Sequence, residues 1–367
     1  MKPLARLLWR VGSGLFGWLC LVIGLAVLSS MPVLNFLAFG YLLEAAGRTA
    51  HSGRWRDGVF GVRQAGIAGS AALAGWLLVL PIRFISSLRT DATLLGESSA
   101  GSMRFTSNLL TWLSAGLAVA VVLGLLSAGS RYAGQETQDA PRRFFARARD
   151  GLLAFIVDLR LPKLFWLGLR GWTGSFLWII VPALLLIAAS RIANNAAILV
   201  AAAGIVLLVP VSTGLPLVQA RFAASGRWGD LFDWSRHRLL FRQAPWACFV
   251  AVLATLAAAL PLYLLRIELP PDDLAWLPGL FFIVLLWPAR ILTGWAVYRA
   301  ERLPHARPQG ALRNFVPRFL ILTAGLAYGI GIWTMQYLDW HGAASFLEQH
   351  AFLLPSLLGE TPRFPSW

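Results

Sequence analysis

Residues 196–220 read Ala-Ala-Ile-Leu-Val-Ala-Ala-Ala-Gly-Ile-Val-Leu-Leu-Val-Pro-Val-Ser-Thr-Gly-Leu-Pro-Leu-Val-Gln-Ala, a stretch of 25 residues without an Asp, Glu, Lys or Arg. A helix rises about 1.5 Å per residue, so roughly 20 apolar residues cross the ~30 Å hydrocarbon core of a bilayer. This stretch is long enough by itself. Eight others flank it, at 11–30, 33–47, 64–88, 107–130, 172–190, 245–265, 276–298 and 317–338. The expected fold is all-α: a polytopic transmembrane helix bundle of about nine spans, with no water-soluble domain. Composition agrees, since 57% of the chain is hydrophobic and 13% charged, against about 45–50% and about 25% in a soluble domain. The stretch at 33–47 is short and follows Pro32. It crosses only with tilt or local thinning, or else it re-enters; full crossing is the reading that keeps the loops alternating.

The formal charge of +15 would suit a nucleic-acid binder if the cations shared one polar face. Here they fall between apolar runs. With the N-terminus in the cytoplasm, the five inward segments hold 25 Lys or Arg residues and the outward ones five, for net charges of +16 and −3. That is the positive-inside pattern. It predicts a bacterial inner (plasma) membrane protein with its N-terminus cytoplasmic, its C-terminus outside, anionic lipid as partner at the inner face, and no nucleic acid. The opening Met-Lys-Pro-Leu-Ala-Arg leads into about 20 apolar residues and reads as a signal anchor. The 17 Trp residues, among them Trp9, Trp55, Trp112, Trp166, Trp172, Trp228, Trp246, Trp276 and Trp340 near span ends, suit interfacial anchoring.

Two loops share a motif. Ser52-Gly53-Arg54-Trp55-Arg56-Asp57 and Ser225-Gly226-Arg227-Trp228-Gly229-Asp230 match at five of six positions, and Arg48 with Arg221 and Ala50 with Ala223 keep the same offset of 173. Arg63-Gln64-Ala65 parallels Arg242-Gln243-Ala244, and Trp112-Leu113 parallels Trp276-Leu277, at nearby offsets. The expected organisation is a parallel tandem repeat. It runs as 1–156 (four spans and a cytoplasmic loop), 157–300 (four spans), and 301–367 (a ninth span and an outward tail). The candidate repeat-motif residues are Gly53, Arg54, Trp55, Asp57, Gly226, Arg227, Trp228 and Asp230.

The segment Gly40-Tyr41-Leu42-Leu43-Glu44-Ala45-Ala46-Gly47-Arg48, running from a span into a basic loop, resembles a family of uncharacterised bacterial multi-pass membrane proteins that carry this feature. The resemblance implies a membrane protein and no catalytic residues. In the second copy Tyr41 and Glu44 align with Gly214 and Leu217, a departure from twin sites.

Few residues suggest chemistry. Arg83 and Arg290 lie inside spans, each two residues after a Pro, and an intramembrane charge is a functional candidate by its cost of ~2.5–3.5 kcal/mol. Together they would contact an anionic substrate or lipid; separately, each would snorkel to an interface. Glu44 is expected to pair with Arg48 one turn on. The loop 131–171 places Phe144, Phe145, Leu152, Phe155 and Ile156 at helical spacing, with Arg143 and Arg147 on another face. It is expected to form an interfacial helix on anionic lipid, with a protein partner as the competing reading. Small residues at Gly116, Ala120, Gly124 and Ala128, and again at Gly325 and Gly329, mark close helix contacts. Asp230 and Asp233 read as solvated loop charges. Cys20 and Cys248 read as packing residues. The five His residues fall in no metal or catalytic spacing, so no cofactor, metal or enzymatic activity is expected. The leading reading is a non-enzymatic membrane scaffold, assembly or envelope-associated module. A transporter or lipid-handling permease for an anionic substrate is the alternative, and a membrane-embedded lipid enzyme a third class.

Overall fold

Backbone amides inside lipid have no water to bond, so long apolar segments become helices that satisfy their own hydrogen bonds. The computed structural model describes residues 2–94, 100–132, 142–267, 277–302 and 311–335, with Tyr337 and Phe346. Among these, the ordered elements are helices: α1 (Lys2–Ser30), α2 (Asn35–Ser52), α3 (Val62–Leu94), α4 (Ala100–Tyr132), α5 (Arg142–Asp158), α6 (Leu161–Arg191), α7 (Ala196–Ser225), α8 (Trp234–Gln243), α9 (Pro245–Ile267), α10 (Leu277–Arg302) and α11 (Ala311–Met335). Short 3-10 turns at Trp55–Gly58 and Trp228–Leu231 follow α2 and α7. Prolines sit inside α3, α6, α7, α9, α10 and α11, as membrane helices tolerate.

Seven of the described helical segments are long and apolar enough to cross a membrane, and α8 with α9, bent by 109° at their junction, makes an eighth. The ninth expected span is α2. It has 18 residues and carries Glu44 and Arg48 in its second half. Fourteen of those residues are buried against other helices, so α2 does not owe its environment to its own hydrophobicity. A helix, α5, forms where an interfacial helix is expected, and it exposes Leu152, Leu153, Ile156 and Val157.

The chain divides into two compact units, Met1–Leu21 with Gly61–Leu161, and Val22–Phe60 with Pro162–Trp367. This division differs from the expected repeat boundary at 156/157, because α2 packs with α6, α7 and α10. In the first unit, α1 meets α3 closely: a Cβ on Gly17 would stand 2.5 Å from the Val62 carbonyl oxygen, and one on Gly69 would collide with the Cys20 sulfur. None of the apolar window of α3 or of α4 is buried. The small-residue stripe of α4 departs from expectation, since a Cβ at Gly116 or Gly124 would meet open space. Small residues allow close approach without supplying the partner helix.

In the second unit α2 is the centre. A Cβ on Gly40 would collide with the Leu164 carbonyl of α6, and one on Gly168 of α6 with the Phe36 carbonyl of α2. Gly47 meets Ala223 of α7 in the same way, and Gly294 of α10 meets the Ala46 carbonyl. Glycine at each crossing lets two backbones touch, which is how membrane helices gain dispersion contact without a hydrophobic driving force. Phe39, Leu43, Val218, Phe222 and Leu231 form the core cluster. The α11 pair fulfils expectation, with Gly325 against Thr213 and Val209 and Gly329 against Ile205 of α7.

Substituting Ala at Gly40 or Gly168 forces two backbones apart and is expected to cost about 1–3 kcal/mol. Gly116→Ala is expected to leave stability unchanged. Thermal unfolding of the three variants in detergent checks this.

Candidate functional site

The duplicated motif folds twice into one geometry. Gly53 and Gly226 adopt φ of 70° and 71°, the left-handed cap that glycine takes without strain, and their amides donate to Thr49 O and Phe222 O, each at 2.8 Å. The hydroxyls of Ser52 and Ser225 accept from the Arg54 and Arg227 amides, both at 3.2 Å. The Asp57 and Asp230 amides close the turns onto Arg54 O and Arg227 O at 3.2 and 3.1 Å. The carbonyls of Gly58 and Leu231, again 173 apart, each accept an indole N–H at 3.0 Å, from Trp287 and Trp178. Where α2 and α7 cross, His51 Nε2 lies 2.7 Å from the Ala224 carbonyl oxygen at that same offset.

Side chains behind the turns differ. Tyr41 donates to the Phe60 carbonyl at 2.9 Å and stacks on the Phe60 ring at 4.2 Å. Its counterpart Gly214 leaves a notch that the His237 ring of α8 fills. One helix supplies its own aromatic plug, and the other receives one.

Two ion clusters sit at this end of the second unit. Glu44, 10% exposed at its side chain, accepts from Arg48 Nε at 3.1 Å as expected, and also from Lys163 of α6 at 3.1 and 3.2 Å. Arg48 in turn lies 3.8 Å over the Phe60 ring. Arg221, 7% exposed, meets Glu301 of α10 at 3.0 Å, Asp230 at 3.3 Å and Asp233 at 3.8 Å. This corrects the reading of Asp230 and Asp233 as solvated loop charges. A guanidinium taken out of water needs its neutralising partners beside it, and these two aspartates supply part of that demand.

Exposed cations at this end are Arg54, Arg56, Arg227, Arg238, Arg242, Arg299, Arg302 and Arg236, the last also 3.5 Å from Asp233, while Arg170 is half-buried over the Phe222 ring. Trp55 and Trp228 of the motif are exposed too, whereas Asp57 is exposed and Asp230 is held by Arg221. The motif therefore builds a hydrogen-bonded turn that presents Arg and Trp outward. Arg143 and Arg147 fall in α5, at positions whose side chains lie outside the described residues. Asn194 accepts from the Ala196 amide at 2.9 Å, a local turn contact.

The two arginines that follow prolines within apolar helices have different surroundings. Arg83 is exposed on α3 of the first unit. Arg290, in the second, is 1% exposed and does not snorkel. It donates through Nη1 to Gln219 Oε1 of α7, whose amide nitrogen donates to Ser175 of α6, while the Phe39 ring of α2 lies 5.4 Å from the guanidinium. Four helices thus meet at one polar chain. Ser175, a small residue among small residues, carries no signal in the sequence, whereas Gln219 stands out as an amide inside a 25-residue apolar run. Lys163 of the Glu44 cluster carried no signal beyond its charge.

Arg221→Ala leaves three carboxylates without their shared cation and is expected to cost on the order of 2–5 kcal/mol. Arg227→Ala, in the exposed motif, is expected to fall within about 0.5 kcal/mol of wild type. Denaturation in mixed micelles separates the two.

Comparison with protein-family models, with curated proteins and with solved structures finds no match to this chain.

Proposed function

We propose that the chain is a non-enzymatic multi-pass module of a bacterial inner membrane, a scaffold or assembly element, whose basic end faces the cytoplasm and holds anionic lipid. The observation that carries this reading is the exposed set of arginines around the two motif turns, beside Arg48, Lys163 and Arg221, whose charges are met by carboxylates. Each free cation near an anionic surface contributes about 1 kcal/mol, and the exposed Trp55 and Trp228 suit the headgroup level. The tandem repeat belongs to the same proposal: the matched turn hydrogen bonds, the paired carbonyls at Gly58 and Leu231, and the His51 to Ala224 crossing support it. So does a full crossing by α2, whose Phe39, Ala46 and Gly53 lie beside Arg290, Gly294 and Tyr298 of α10 in succession.

The permease reading has one observation in its favour, the enclosed Arg290. Loss of a measured solute or lipid flux in Arg290→Ala, with Arg83→Ala unaffected, would promote it over the scaffold.

The scaffold reading is tested by native mass spectrometry of the full chain released from membranes with its lipids. Wild type is expected to retain phosphatidylglycerol or cardiolipin in preference to phosphatidylethanolamine. The triple variant Arg54→Gln, Arg227→Gln, Arg238→Gln is expected to lose that preference while melting at the same temperature. Unchanged retention would mean that the basic end does not read lipid and would favour a cytoplasmic protein partner.

A further inference from the structure

Arg290 is the largest fully buried side chain among the described residues, and its Nε and Nη2 have no hydrogen-bond partner there. A guanidinium carries five N–H donors in a fixed fork. Here Nη1 is spent on Gln219. Burying the group without full satisfaction is costly, and the Phe39 face and the amide contact offset only part of that cost.

No carboxylate in the described residues makes up the difference. Glu44 is held by Arg48 and Lys163, and Asp230, Asp233 and Glu301 are held by Arg221. Arg290 is left as an uncompensated charge at the meeting of α2, α6, α7 and α10. The two free nitrogens are not scattered. Nε and Nη2 lie side by side on one edge of the guanidinium, and their N–H bonds are parallel, the arrangement that receives two oxygens of one carboxylate or phosphate.

We propose that this edge of Arg290 is the binding site for an oxyanion, a phosphate or carboxylate carried by a lipid headgroup or by a small soluble molecule. Gln219, backed by Ser175, holds the opposite edge so that the free one keeps its direction. In this conformation the site is closed over, and Pro288 and Pro216, within three residues of Arg290 and Gln219, interrupt the helix hydrogen bonds on either side of it. The inference needs only the membrane-embedded bundle and stands whether or not the basic end reads lipid.

The test is the melting temperature of the purified full chain in a nonionic detergent, followed by Trp fluorescence at fixed ionic strength. The probes are inorganic phosphate, octanoate, dioctanoyl phosphatidylglycerol, and dioctanoylglycerol as a control with the same tails and no phosphate. A ligand that binds the native state raises the melting temperature in a saturable way. At least one oxyanion probe is expected to do so for wild type and for Arg83→Gln, and dioctanoylglycerol is not. Arg290→Gln is expected to weaken the apparent affinity by about tenfold or more. Arg290→Lys, which keeps a cation but loses the fork, is expected to weaken it too and serves if the Gln variant does not fold. A response to the phospholipid alone assigns the site to a headgroup, and a response to phosphate or octanoate assigns it to a soluble anion. No saturable response in wild type, or a response that Arg290→Gln and Arg290→Lys leave intact, would overturn the proposal.

Discussion

Backbone contact at α2 is the constraint on which the second unit depends. Gly40 and Gly168 seat α2 on α6, Gly47 seats it on α7, and Gly294 seats α10 on it. Each contact leaves no room for a methyl group. Because the helices approach so closely, α2 can be short, can carry Glu44 and Arg48, and can still be buried over 14 of its residues. The same closeness brings Phe39 to Arg290 and Glu44 to Lys163, so the polar clusters follow from the glycines.

The two motif turns show how one local sequence is anchored by different surroundings. Gly53 and Gly226 dictate the left-handed cap, and the serine and aspartate bonds follow within a few residues. What holds each turn down comes from elsewhere: Trp287 of α10 for the first and Trp178 of α6 for the second. Tyr41 fills behind one turn and His237 behind the other. A divergence such as Tyr41 against Gly214 is therefore not a loss of structure, since the missing ring is replaced from α8.

Much of this was legible in the sequence, for reasons that are local. Helical spans follow from runs of apolar residues, the matched turns from glycine and serine at fixed spacing, the Glu44 to Arg48 pair from the i, i+4 rule, and α5 from its amphipathic pattern. Contacts set by neighbours distant in sequence are not legible in this way. Asp230 and Asp233 read as solvated because their partner Arg221 is nine and twelve residues away in sequence and Glu301 completes the cluster from α10. Arg290 looked like a snorkelling arginine because nothing local says that Gln219, 71 residues earlier, meets its fork. The α4 stripe failed for the converse reason: a surface fit for close packing does not specify that a helix will lie on it.

We propose that α2 crosses the membrane within its shell of other helices, so that both motif turns lie on the cytoplasmic side. Single cysteines report it most directly, introduced as Val33→Cys before α2 and Arg56→Cys after it, in a background with Cys20 and Cys248 replaced by Ala. Both positions are exposed. A membrane-impermeant maleimide is predicted to label Val33→Cys in intact cells and Arg56→Cys only after the membrane is opened. Labelling of both from the same side would make α2 a re-entrant segment and would contradict the claim.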